Sequence, residues 1–345
     1  MQAWLKDVLC CLQCGASRFE LRSTVDKGTE IRSGELACGE CARKFRITDG
    51  IPDFIDPADE WIAGEREHAR RIQDELPQRL GSEPAAREFT RRQTLGYDEP
   101  SFYDLLTRST MDQALQMAEV RPEMRVLGIG DSSGRDLCRL FGVRGCQGVV
   151  VDVSEYLTLS DIVIETTGVY YDRVHASMAR LPFVPGSFDV AFASACVHHV
   201  EDPRLVFRAL KRLLRPGGLF ILVNERTISR LRPAHKDSVK VSDEDAHESV
   251  YFFHEWTRML KEEGFSVRPF RSRFLTYRAR LERRLSYGSK ETSFGRALRA
   301  YFGAMSKLEA VPAIGDAPAA LNFLWERELI GDLGYSCIAR RTQKD

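Results

Sequence analysis

Neither charge is in excess: 50 basic and 50 acidic side chains leave a formal net charge of zero. A chain without a net field is not drawn wholesale to nucleic acid or to an anionic surface. No apolar run approaches the roughly 18 to 20 residues needed to cross a bilayer. The opening stretch MQAWLKDVLCCLQCG lacks the basic-then-apolar layout of a secretory leader. These absences set the expectation of a cytoplasmic protein with no membrane partner. At 345 residues the chain is long for one core, so two or three units are expected. Nine cysteines in a reducing compartment do not read as a disulfide framework, yet five of them fall within the first 41 residues.

That crowding resolves into two knuckles. Cys11 and Cys14 are separated by two residues, as are Cys38 and Cys41. Two thiolates on each of two tight turns supply four soft ligands for a tetrahedral ion, which suits zinc. Cys10 is a spare, because only Cys11 keeps the two-residue gap. The intervening FELRSTVDKGTEIRSGELAC has room for a hairpin turning near Lys27-Gly28. Four thiolates leave no open coordination position, so the metal is expected to be structural. Residues 1–57 hold 8 basic and 9 acidic side chains, unlike a nucleic-acid finger.

Residues 58–120 read as charged helical segments broken at Pro77, Gly81, Pro84 and Gly96. They form a linker or a lid, with Tyr97, Phe102 and Tyr103 as packing or covering aromatics. From Arg125 the pattern alternates strand and helix, which predicts a parallel sheet with helices on both faces. RVLGIG is the first strand, QGVVVDVS the second, FDVAFAS and LFILVNE later ones, and YSCIARR the last. LVFRALKRLLRPGG is an amphipathic helix ended by a turn. The glycines after the first strand, in MRVLGIGDSSGRDL, suggest a nucleotide-cradling loop. Taken alone, Gly128, Gly130 and Gly134 with Asp152 also fit a nicotinamide fingerprint.

Two longer stretches favour a different cofactor. CARKFRITDGIPDFI resembles the small zinc-ribbon proteins that serve as partner subunits of methyltransferases, over about residues 4–57. MARLPFVPGSFDVAFASACVHHVEDPRLVFRALKRLLRPGGLFIL resembles the class I S-adenosylmethionine-dependent methyltransferases. Leu-Pro-Phe, Phe-Asp, the His-His pair and Pro-Gly-Gly stand in that family's order, and the likeness covers about 121–272 plus the final strand. The resemblance implies an α/β chain: a Rossmann-like sheet over 121–345 preceded by a β-rich zinc ribbon over 1–57. It implies that Gly130 and Gly134 let the backbone approach S-adenosylmethionine, and that Asp152, with Val153 beside it, accepts both ribose hydroxyls. Ser177 and Met178 match the adenine contacts, and Ser194 faces the crevice. The loop departs from the pattern at three points. Gly128 replaces the acid that takes the cofactor's amino group, Ser132 replaces a glycine, and Ser177 replaces an acid. Asp131 is the candidate to supply the missing charge.

Methyl transfer asks for alignment and, with poor nucleophiles, for removal of a proton. His199, Glu225 and Glu248 are the candidates for substrate contact or proton removal. A helical insertion over about 273–331 is placed to shape the substrate pocket, and residues 271–299 hold nine basic side chains against two acidic ones. Arg280 and Arg284 share a helix face, which predicts a small, anionic acceptor such as a natural product or sugar derivative. An RNA methyltransferase and a non-catalytic scaffold are the alternatives. The sequence leaves the oligomeric state open.

Overall fold

The computed structural model describes residues 1–59, 62–64, 66–67, 70–71, 74–75, 78, 81–95, 102–228, 230–231, 249–286, 293–315, 317–330 and 334–342. The first 54 residues build a four-stranded antiparallel sheet in sequential order: β1 (Phe19–Lys27), β2 (Glu30–Cys38), β3 (Lys44–Thr48) and β4 (Ile51–Pro52). The β1–β2 turn falls at Gly28, whose φ of +62° suits glycine. Phe45 stacks on Phe54 with centroids 4.2 Å apart, and Phe19 meets both rings edge-on.

Helices α1 (Glu83–Leu95) and α2 (Phe102–Ala118) follow. Phe102 packs on Phe274, with centroids 5.2 Å apart. Tyr97 and the Tyr103 side chain lie outside the described residues. The larger sheet is built from β5 (Arg125–Ile129), β6 (Gln147–Asp152), β7 (Asp172–His175), β8 (Phe188–Ser194), β9 (Leu214–Glu225), β10 (Phe265–Pro269) and β11 (Tyr335–Arg341). Its order is β10-β11-β9-β8-β5-β6-β7. The five strands from β5 to β9 run parallel, and β11 pairs antiparallel with both β9 and β10. Between them come α3 (Arg135–Leu140), α4 (Ser160–Thr167), α5 (Pro203–Leu213) and α6 (Phe253–Glu262). Helices α7 (Tyr277–Ser286), α8 (Ser293–Glu309) and α9 (Ala317–Leu329) form the insertion before the last strand.

Period-2 alternation sends successive strand residues to opposite faces. Leu127, Ile129, Val151, Ala191 and Phe220 pack with α5 and α6, where Val206, Phe207, Leu210 and Trp256 are buried. Val126, Val150, Val190, Phe192 and Ile221 pack with Met111 and Leu115 of α2 and with Leu137 of α3. The sheet is therefore covered on both faces, as the alternating pattern predicts. Helix α5 starts as its sequence demands: Pro203 takes the first position and Asp202 accepts from the Arg204 N–H at 2.9 Å.

The cysteine-bearing sheet is not a separate bead. Its core is continuous with one face of the large sheet, running from Leu5, Phe19 and Phe45 into Phe183, Val174 and Val151. Asp53 bridges to His175 in parallel, and Phe54 N–H donates to the His175 carbonyl at 2.8 Å. Arg173, 1% exposed, pins the junction by donating to Asp161 at 2.6 Å and to Glu30. Arg32 donates to Asp161 at 2.7 Å, and the Gln2 N–H to Asp172 at 2.7 Å.

Candidate active site and metal centre

The strand order turns back on itself between β5 and β8, and the carboxyl ends of those strands open a crevice where ligands of open α/β sheets bind. A cleft of about 290 Å³ lies there, walled by Gly130, Asp131, Ser132, Ser133, Phe192 and Ser194, with Arg135 and Asp136 from α3. Thr90 of α1 and Thr107 of α2 close it from above.

The loop after β5 is shaped by close neighbours. Gly130 has φ +63°, and a Cβ there would stand 2.7 Å from Cys196. Gly134 has φ +79°, and a Cβ would enter the Tyr171 ring. Ser132 adopts φ +48° without being glycine. It is held by its N–H, which donates to Asp152 Oδ2 at 2.8 Å. Asp152 Oδ1 accepts from the Ser154 N–H at 2.8 Å. A carboxylate has about four lone-pair sites, so two remain for a pair of hydroxyls. Val153 follows it, half-buried.

Gly128 does not line the cleft. It is buried in β5, and a Cβ would lie 2.8 Å from the Phe192 ring. The absence of an acid there has a steric cause: Phe192, stacked 5.0 Å from Phe141, occupies the space. Asp131 does not simply replace that acid. Its carboxylate turns inward to accept from the N–H groups of Leu137 at 2.8 Å and Asp136 at 3.2 Å. Burial and the neighbouring Asp136 push its pKa well above the ordinary aspartate value. Ser177 accepts from the Ala179 N–H at 3.2 Å and faces a second crevice, beside Arg43, Phe45 and Phe54 of the cysteine-bearing sheet. Met178 packs against the core near Gly130.

Glu225 requires a correction. It is fully buried, and its oxygens accept from the N–H groups of Cys196 (3.1 Å), Val197 (3.0 Å) and His198 (3.2 Å) and from His198 Nδ1 at 2.7 Å. With four donors on one carboxylate, it anchors the turn after β8 and cannot meet a substrate. Replacing Glu225 with glutamine turns an amide N–H toward backbone donors. A loss of about 1.5–3 kcal/mol is expected in urea unfolding; unchanged stability would mean that the carboxylate does not organise this turn. His199 follows, half-buried, its ring 4.4 Å from that of His198. Glu248 lies outside the described residues.

Arg280 is the second correction. It is 2% exposed and donates to the fully buried Glu326 at 2.7 Å, stacked over Phe302 and Tyr277. Tyr277 and Tyr301 donate to the same glutamate at 2.7 and 2.5 Å. Its charge is spent inside the helical insertion, not offered to an anion. Arg284 sits on the same helix, but its side chain lies outside the described residues.

The structure brings Cys11, Cys14, Cys38 and Cys41 together, with all four sulfurs within 4.8 Å of one another. Cys11 and Cys41 Sγ stand 3.7 Å apart, and Cys14 and Cys38 3.5 Å. A zinc ion with bonds of 2.3 Å sets tetrahedral sulfurs about 3.8 Å apart, so the donor set and its spacing fit such an ion. Each knuckle closes by backbone bonds, Gly15 N–H to Cys11 O at 2.8 Å and Ala42 N–H to Cys38 O at 3.0 Å. Cys10 is buried outside the cluster.

Sequence reasoning missed Thr90, Thr107, Arg135 and Asp136. Only Asp136 had a signal, as an acid two residues beyond the last glycine of the loop.

Residues 127–222 match the family model described as a methyltransferase domain. Curated relatives include squalene methyltransferase 1 of Botryococcus braunii, 24% identical over 60% of this chain and 49% of that protein. Another is the 27-O-demethylrifamycin SV methyltransferase of Amycolatopsis mediterranei, 28% identical over 44% of this chain and 61% of that protein. The chain spans about half the length of such relatives. Among solved structures, a complex of the Haloferax volcanii Trm112 methyltransferase activator with a methyltransferase is 16% identical, covers 75% of this chain and 96% of that one, and has a TM-score of 0.48. Among the described residues, no helix is long and apolar enough to cross a membrane. The chain thus has the class I S-adenosylmethionine-dependent methyltransferase fold, preceded by a small antiparallel sheet whose four cysteines can chelate a metal.

Proposed function

We propose that the chain is an S-adenosylmethionine-dependent methyltransferase of a small molecule, carrying a structural zinc on Cys11, Cys14, Cys38 and Cys41. The observation that carries it is the coincidence of three features at one sheet edge. They are the Gly130–Gly134 loop, the half-satisfied Asp152 at the end of β6, and a 290 Å³ cleft at the β5–β8 switch point. When bound, S-adenosylmethionine supplies an electrophilic methyl group on a sulfonium. Asp152 would hold the ribose hydroxyls, and Gly130 to Ser133, Phe192 and Ser194 would line the site. Thr90 of α1 and Thr107 of α2 complete the lining, and the protein has an acceptor to align more than to activate. His199, at the exit of the Glu225-anchored turn, and Glu248 keep their candidacy to take a proton.

The small-molecule reading draws support from relatives named for squalene, for a rifamycin derivative and for ubiquinone or menaquinone. An anionic acceptor has lost its leading residue, since Arg280 is already paired. Zinc rests on the soft four-sulfur set, which leaves no position for substrate.

Calorimetric titration tests the cofactor. The methyl donor is expected to bind and NAD not to. Asp152→Ala is expected to weaken the donor about ten- to hundredfold, since two charge-assisted hydrogen bonds are lost and the Ser132 N–H loses its acceptor. Binding of NAD alone would assign the loop to a different enzyme class.

A further inference from the structure

The first turn of α3 carries two opposite charges that the arrangement above leaves without a role. Arg135 and Asp136 both line the cleft. Arg135 Nε stands 3.8 Å from Asp136 Oδ1, and one terminal nitrogen stands 3.8 Å from Asp104 Oδ1 on α2. Charge-assisted hydrogen bonds run about 2.7–2.9 Å. Both separations are nearly an ångström longer, so neither contact uses up the guanidinium fork.

The rest of the cleft has little to offer a charged ligand. Gly128 brings no acid, its space being filled by Phe192. The Asp131 carboxylate is turned to the backbone of its own loop. Thr90, Thr107, Ser132, Ser133 and Ser194 bring hydroxyls and backbone. The amino-acid end of S-adenosylmethionine carries an ammonium and a carboxylate on one carbon. An anion and a cation side by side match both groups with charge-assisted hydrogen bonds, and positions 135 and 136 provide such a pair.

We infer that Arg135 and Asp136 hold the amino-acid end of the cofactor, the guanidinium taking its carboxylate and the Asp136 carboxylate its ammonium. The inference rests on the cofactor reading above. The pair performs from α3 the recognition that an acid on β5 cannot perform here, because the Phe192 ring excludes any side chain at position 128.

The test is calorimetric titration of the full chain with two ligands. S-adenosylhomocysteine keeps the amino-acid group; 5′-methylthioadenosine has the nucleoside and a thioether but lacks that group. The unsubstituted chain is expected to prefer the former. Asp136→Asn and Arg135→Gln are each expected to weaken S-adenosylhomocysteine about ten- to hundredfold while leaving 5′-methylthioadenosine binding unchanged. That second ligand also reports whether the loop has kept its shape. Undiminished S-adenosylhomocysteine affinity in both variants overturns the assignment, as does a parallel loss of both ligands. If the unsubstituted chain binds neither ligand, the cofactor reading itself falls, and the role of the pair falls with it.

Discussion

Removing the proposed zinc, or replacing Cys38 with serine, is expected to melt the first 54 residues and to loosen the β7 edge of the large sheet. In isolated small modules, structural zinc contributes on the order of 10 kcal/mol of folding free energy. Here part of that is backed by packing, because Leu5, Phe19, Phe45 and Phe54 belong to a core continuous with Val151 and Val174. A loss of several kcal/mol should therefore remain. The cluster ties the loop carrying Cys11 and Cys14 to the end of β2, and without it the two knuckles, with Cys14 and Cys41 exposed, keep only their own backbone hydrogen bonds. Differential scanning calorimetry with a parallel zinc assay checks this. A chelated protein that melts as the loaded one does would show that the four cysteines are not a structural centre.

Arg280→Met is expected to lower stability by about 3–5 kcal/mol, because it leaves the fully buried Glu326 carboxyl without its cation. Tyr277 and Tyr301 still donate to it, but two neutral hydroxyls do not balance a buried charge. Adding Glu326→Gln removes the charge and keeps an acceptor for the tyrosines, so the double variant should recover much of the loss. Cofactor affinity should not change in either. A single variant as stable as the parent but weakened toward its acceptor would return this arginine to the substrate pocket.

The contrast between Arg280 and Asp152 shows what the amino-acid order could reveal. Asp152 could be singled out because its place depends on local pattern: an apolar strand must end, and the residue ending it stands beside the glycine loop, where it accepts from the Ser132 N–H. Arg280 was read from helix periodicity, which places it on a face but is silent about what covers that face. Its partner Glu326 lies 46 residues away on α9, and nothing in the spacing announces the pair. Glu225 failed for the same reason, since three of its four donors are backbone N–H groups that carry no sequence signature. The alternating strands and the paired cysteine gaps were legible because short-range periodicity and ligand spacing act within a few residues. Gly128 was seen as an absence, but the cause, a phenylalanine ring from β8, became visible only with strand order.

The bridge between Asp53 and His175 has one more consequence. β7 is the outermost strand of the large sheet, and an outermost strand with bare N–H and C=O groups recruits strands from other molecules. In this chain the segment after β4 lies along that edge and donates a hydrogen bond to it, while Arg173 of β7 ties the edge to Glu30 of β2. The sheet that carries the cysteine cluster thus covers part of this edge. Oxidation or metal starvation should register first as turbidity and light scattering, with molecules adding edge to edge while the distant cleft is still intact.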